Sequence, residues 1–87
     1  MRVTMQKVTV YSKVPCPYCD AAKKLLSERG IAYTEIDMTG ASPDEFQALI
    51  KRSGMRTVPQ IFHGERLIGG FDSLSKLDEQ DKLESLK

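Results

Sequence analysis

KVTVYSKVPCPYCDAAKKLLSERG, residues 7–30, reads as a strand, a short loop and a helix in immediate succession. Residues 7–11, Lys-Val-Thr-Val-Tyr, alternate and are rich in β-branched and aromatic side chains, which predicts a strand. Over residues 17–29 the spacing changes: Tyr18, Ala21, Ala22, Leu25 and Leu26 recur at i, i+3, i+4, i+7 and i+8, one face of an amphipathic helix. Pro17 suits the first helical position and Gly30 the position just past the end. The two cysteines of the chain fall at the junction, Cys16 where a helix is capped and Cys19 one turn inside.

Outward from this unit the chain continues in the same short alternation. Residues 31–37 read as a second strand, bounded by Gly30 and the Thr39-Gly40-Ala41 loop. Ser42-Pro43-Asp44-Glu45 then supplies an N-cap serine, a proline at N1 and a glutamate three residues on, a capping box. Phe46, Leu49 and Ile50 form the inward face of that helix, and Lys51 and Arg52 complement the dipole at its end. Residues 60–62 and 66–68 are short strand-like runs separated by His63-Gly64-Glu65, a hairpin pattern. After Gly69-Gly70, Asp72 or Ser73 can cap a last helix with Leu74 and Leu77 inward. Leu83 falls about 180° from Leu74 at ~100° per residue, so this helix should end near residues 79–81, with Leu83 and Leu86 packing separately. The order β-α-β-α-β-β-α has a crossover helix between its first two strands, which should therefore be parallel. The expected fold is α/β: a four-stranded mixed sheet flanked by helices.

Length and composition bound the rest. Eighty-seven residues, 40% apolar, suffice for one small domain spanning residues 1–87. Net charge is +1 with 29% charged residues, a balance that advertises neither nucleic acid nor a membrane surface. No run approaches 18 apolar residues, and residues 1–7 lack the apolar core of a signal peptide, so a cytoplasmic location is expected. Two cysteines are too few to staple a secreted scaffold, and with His63 as the single histidine they are too few for a structural zinc site. No metal is expected.

What is unusual is the spacing. Two cysteines placed at random in this chain fall three apart only about 2% of the time. An N-cap thiol at Cys16 would face the free N–H groups and positive end of the helix, with Lys13 as a nearby cation, conditions that favour a thiolate. Cys19, at i+3 and drawn toward the protein, would be the resolving thiol. Residues 1–30 hold six Lys or Arg against two acids, leaving a net −3 beyond them. Lys23 and Lys24 read as a solvated helix face. His63, in a loop-like turn, is not expected to be catalytic.

At Cys16-Pro17-Tyr18-Cys19 the sequence resembles the glutaredoxins, thioredoxin-fold enzymes that use glutathione, and the resemblance covers nearly the whole chain. Lys13 stands three residues before the first cysteine. Arg56-Thr57-Val58-Pro59-Gln60-Ile61-Phe62 is similar to the family's T-V-P segment, and Gly69-Gly70-Phe71-Asp72-Ser73-Leu74 to its glycine-pair segment. The resemblance implies a cis Pro59 and a Val58 backbone edge open to a peptide-like substrate. It implies a glutathione site of Lys13, Tyr18, Arg56, Thr57, Val58, Pro59, Gly70, Phe71 and Asp72. Lys13 and Arg56 would take the glycyl carboxylate, and the start of the last helix with Asp72 the γ-glutamyl end. On the residues alone, Asp72 reads equally as a helix cap, Tyr18 as a core aromatic and Gln47 as a solvated position. Two departures stand out: Pro15 where many members have Thr or Ser, and Phe71 where several carry a third cysteine.

The resemblance therefore implies a glutathione-dependent thiol–disulfide oxidoreductase, with Cys16 as nucleophile and Cys19 as resolving thiol. Its partners would be glutathione and glutathionylated or disulfide-containing proteins, met by a monomer that binds no nucleic acid and no membrane. Two rivals are a glutathione-ligated 2Fe–2S cluster held by a dimer, which Pro17 disfavours, and a glutaredoxin-like protein reduced by thioredoxin reductase, which Pro17-Tyr18, Arg56 and Asp72 disfavour.

Overall fold

A computed structural model describes residues 7–83. Seven elements follow one another: β1 (Val8–Ser12), α1 (Pro17–Glu28), β2 (Tyr33–Asp37), α2 (Pro43–Ser53), β3 (Gln60–His63), β4 (Arg66–Gly69) and α3 (Phe71–Glu79). They form a four-stranded sheet in the order β2-β1-β3-β4. β1 runs parallel to β2, with Val8 opposite Tyr33 and Ser12 opposite Asp37. It runs antiparallel to β3, with Val10 opposite Ile61. The hairpin closes at His63 and Arg66, and a bulge between Ile61 and Phe62 shifts its register. The expected α/β architecture and strand directions are those observed; strand ends move by one or two residues.

The period of two in β1 and β3 divides the core. Val8, Val10 and Ile61 point to one face and pack against Ala22 and Leu26 of α1, Leu74 of α3 and Leu83. Tyr11 and Phe62 point to the other, where they meet Phe46 and Leu49 of α2 and Met38. On that second face the Arg52 guanidinium lies 4.5 Å from the Phe62 ring and donates to the Tyr11 hydroxyl.

Local sequence explains where the helices stop. α1 ends in a Schellman motif: Gly30 takes φ +72°, and the N–H groups of Gly30 and Ile31 reach the carbonyls of Ser27 and Leu26. α2 opens on the expected capping box, Ser42 accepting from the Glu45 N–H and Glu45 from the Ser42 N–H. α3 departs from expectation at its start. Its N-cap is Gly70, without a side-chain cap, and Asp72 lies inside the first turn, so neither Asp72 nor Ser73 caps it. At its end Asp81 adopts φ +56°, and the Lys82 N–H returns to Leu77. This turn brings Leu83 back to the core, as the 180° argument requires; Leu86 lies outside the described residues.

Candidate active site

The loop of residues 13–15 leaves β1 and delivers the chain to α1. It hangs from the end of β2: the Val14 N–H donates to the Thr39 hydroxyl at 2.9 Å, and Thr39 in turn bonds Asp37 through both its hydroxyl and its N–H. These bonds hold the Asp37 carboxyl below its ordinary value. Sequence reasoning missed Thr39 and Asp37 as supports; the Asp-x-Thr spacing after a strand, an Asx-turn pattern, was the available signal. The Val14–Pro15 and Val58–Pro59 peptide bonds are both cis. The resemblance implied the second and nothing in the sequence implied the first.

Cys16 is the N-cap of α1, with extended backbone at φ −153°, ψ 98°. Its carbonyl accepts the first helical bond from Asp20, and its sulfur faces the Cys19 N–H at 3.1 Å. Pro17 occupies N1, where its missing N–H costs nothing. Cys16 and Cys19 are joined in a disulfide. Their environments are unequal: Cys16 is half-buried, while Cys19 is 1% exposed against the core. A sulfur at an N-cap is held against unpaired N–H groups and the positive end of the helix, which favours a thiolate once the pair is reduced.

Beside α1 lies the segment 55–59. Cys16 Sγ is 4.0 Å from the Val58 carbonyl oxygen. Gln60, wholly buried at the start of β3, donates from Nε2 to the carbonyls of Met55 and Thr57 at 3.0 and 2.9 Å, clamping the loop that precedes Pro59. Two carbonyl acceptors fix which end of this amide faces the loop. Gly70 packs against the same segment, and a Cβ there would make an ordinary contact of 3.5 Å with the Pro59 carbonyl.

These segments enclose an open groove of roughly 390 Å³. It gathers seven of the nine residues that the resemblance assigned to glutathione: Tyr18, Thr57, Val58, Pro59, Gly70, Phe71 and Asp72. Met55 and Ser73, missed in the sequence, complete it. Tyr18 is 64% exposed and stacks on Phe71 with ring centroids 6.1 Å apart, so it is not a core aromatic and does not belong to the buried face of α1. In the first turn of α1 it is Cys19, 1% exposed, that turns inward, while Tyr18 turns to the groove.

The other two assigned residues lie elsewhere. Lys13 sits 5.2 Å from the centre of the Phe46 ring on α2 and lines a smaller recess with Cys16 and Cys19. Arg56 is exposed and does not line the groove. Gln47 is exposed, as expected for a solvated helix position. His63 ends β3 and lines neither the groove nor the recess.

Lys23 requires a correction. It is not a solvated position: its ammonium bonds Glu35 at 2.8 Å, and the same carboxylate oxygen accepts from the buried Ser12 hydroxyl at 2.7 Å. The register puts Glu35 opposite Val10, on the face that α1 covers, so Lys23 folds down onto it. The Lys23 hydrogen bond, with that of Ser12 second, lowers the Glu35 carboxyl below its usual range, and the same bond raises Lys23.

A paired N-cap cysteine and buried partner beside a Val-cis-Pro edge, on a thioredoxin-like fold, define a thiol–disulfide oxidoreductase. The glutaredoxin family model matches residues 8–68 of this chain. Over 82 residues the chain is 44% identical to glutaredoxin 3 of Escherichia coli, covering 94% of this chain and 98% of that protein. It is 43% identical to a glutaredoxin of Neisseria meningitidis over 82 residues, 94% of this chain and 96% of the other. Among solved structures, the buckwheat glutaredoxin–glutathione complex superposes with a TM-score of 0.82 at 34% identity, over 93% of this chain and 76% of that one. The solution structure of a Brucella melitensis glutaredoxin gives 0.80 at 43% identity, over 94% and 88%. The chain belongs to the glutaredoxin family.

Proposed function

We propose that the protein is a glutathione-dependent thiol–disulfide oxidoreductase that reduces glutathione mixed disulfides and protein disulfides, acting as a monomer in the cytoplasm. The observation that carries this reading is the groove beside Cys16, into which Tyr18, Thr57, Val58, Pro59, Gly70, Phe71 and Asp72 converge. A structural relative is a complex with glutathione, which makes that tripeptide the natural occupant.

In this reading the Cys16 thiolate attacks the glutathione sulfur of a protein–glutathione mixed disulfide. The protein sulfur leaves as a thiolate and takes a proton from water, and Cys16 becomes S-glutathionylated. A second glutathione thiolate then attacks that glutathione sulfur, giving glutathione disulfide and restoring the Cys16 thiolate. With a protein disulfide, Cys16 forms a mixed disulfide with the substrate and Cys19 displaces it, closing the Cys16–Cys19 bond; two glutathione molecules reopen it with release of glutathione disulfide. The glutathione backbone would pair with the Val58 edge, its γ-glutamyl carboxylate would meet the N-terminus of α3, and Asp72 would take the ammonium. Lys13, in the recess beside Cys16, and the exposed Arg56 would take the glycyl carboxylate from outside the groove lining.

The test is disulfide turnover coupled to glutathione plus glutathione reductase, run against thioredoxin reductase with NADPH. Activity with the first system supports the reading. Activity only with the second overturns it.

A further inference from the structure

A second groove, of 340 Å³, runs between β4 and α3. Arg66, Leu67 and Ile68 all line it, although they are consecutive in β4. The hairpin register takes one step in β3, Phe62 to Ile61, for two in β4, Leu67 to Gly69, so Ile68 is the extra residue of a bulge that interrupts side-chain alternation in this stretch. β4 is the terminal strand of the sheet. Its outer edge therefore carries N–H and C=O groups that β3 does not use, since alternate residues of an antiparallel strand turn both groups away from the partner.

The opposite wall is one stripe of α3: Ser73, Lys76, Leu77 and Gln80 recur at i, i+3, i+4 and i+7. Leu67 is among the exposed large apolar residues, and Ile68 and Leu77 are half-buried beside it. Arg66 and Lys76 supply two cations and His63 an imidazole, while no Asp or Glu lines the groove. Neither Arg66 nor Lys76 takes part in an ion pair among the described residues. The other sheet edge, β2, has the opposite character, with Glu35 and Asp37 along it.

We infer that the β4 edge receives an extended, acidic segment of the protein whose disulfide is being reduced, added as a fifth strand with its carboxylates against Arg66 and Lys76. Strand addition uses main-chain hydrogen bonds for affinity and alternate side chains for selection. The charge of the groove selects an acidic segment, and Ser73, which lines both this groove and the one walled by Val58 and Pro59, selects the redox partner as the source. The partner's identity rests on the proposed thiol–disulfide function; the capacity of the edge to bind a peptide does not.

The binding test is amide-resolved NMR of the full chain titrated with a cysteine-free hexapeptide of alternating Glu and Val. Shifts and slowed amide exchange are expected at residues 66–68 and along the Lys76 face of α3, and not at residues 33–37. The R66Q/K76Q double variant should weaken binding about tenfold, as should N-methylation of the peptide backbone. Equal binding by a Lys–Val peptide overturns the charge selection, and equal binding by the N-methylated peptide overturns strand addition. Pairing of β4 with a second copy of the chain, seen as a concentration-dependent dimer, overturns the assigned occupant.

The partner test compares the double variant on two substrates. The KM for an S-glutathionylated Glu–Val peptide should rise about tenfold, while turnover of the cysteine–glutathione disulfide should not change. Unchanged kinetics on both substrates overturn the partner assignment. A wild-type chain that fails on the small disulfide overturns the glutathione reading and the partner with it, while the NMR titration still judges the edge.

Discussion

The N–H of Cys19 points at the sulfur of Cys16 from 3.1 Å, one turn of helix turned back on its own cap. In the proposed mechanism the same helix would supply the attacking sulfur, a donor to stabilise its anion and, in the Cys19 side chain, the thiol that resolves the adduct. Cys16→Ser should lower reduction of a glutathione mixed disulfide more than about 1,000-fold in the coupled assay, the scale seen when a nucleophile is removed. Cys19→Ser should retain that activity and lose reduction of protein disulfides. If Cys16→Ser turned over the mixed disulfide at the native rate, the nucleophile assignment would be wrong.

Glu35 links the sheet to α1, and its variants should separate two contributions. Glu35→Gln removes a charge pair whose side chains are 24% and 35% exposed, so the loss in urea denaturation should stay below about 1 kcal/mol. Glu35→Ala also leaves the buried Ser12 hydroxyl without its acceptor and should cost about 1–3 kcal/mol. The pH dependence follows from the lowered carboxyl. The charge contribution is fully present above 4.5, the ordinary glutamate value, and is lost as pH falls through the lower folded-state value. The gap between wild type and Glu35→Gln should therefore close in acid and be constant from pH 5 to 8. A gap that widened in acid would contradict the sign.

Gly69→Ala tests how tightly the start of α3 is set. Gly69 has φ +126°, and a Cβ there would fall 2.5 Å from Ser73 Oγ and 3.0 Å from its Cβ. Left-handed backbone costs a residue with a Cβ about 1–3 kcal/mol. The Ser73 hydroxyl must also rotate away and its Cβ yield slightly. Thermal stability should fall, and because Ser73 lines the groove with Phe71 and Asp72, the KM for glutathione should rise slightly. Native stability with native KM would show that the turn accommodates the Cβ.

Gln60→Met keeps the volume and removes both donors to the 55–59 loop. The Thr57 carbonyl loses its side-chain donor and the Met55 carbonyl keeps only the Ser53 hydroxyl at 3.4 Å, at about 1–3 kcal/mol. A loosened loop should raise KM for glutathione severalfold with little change in kcat, read in steady-state kinetics. An equal fall in kcat at native KM would place Gln60 in the chemical step instead.

These cases show where sequence reading succeeded and where it stopped. The capping box at Ser42, the glycine past Arg29 and the return of Leu83 depend on neighbours within a few residues, and each was visible as spacing. The parallel pairing of β1 with β2 followed from one crossover helix. Periodicity put Tyr18 on the buried face, but in the first turn Cys19 takes the inward position and Tyr18 stacks on Phe71 at the groove. Lys23 was misread because its partner is set by the pairing of β1 with β2, a register no local pattern encodes. Gln60 and Met55 act through irregular backbone, where side chains follow no period. For the groove itself, motif resemblance found seven residues that physical patterning alone would have left as turn and strand-end chemistry.

α1 and α3 touch at both ends by contacts of unlike kind. At one end Tyr18 stacks on Phe71 beside Cys16; at the other, Arg29 grips Asp78 through two nitrogens at 2.6 and 3.0 Å. The aromatic contact is insensitive to ionic strength and borders the groove proposed for glutathione, while the ionic one is screened by salt and stands at the far end of α1 from Cys16. The pair of helices is thus a clamp with an aromatic jaw and an ionic heel. Salt should loosen the heel and leave the jaw closed, so the redox centre keeps its shape under conditions that soften the scaffold behind it.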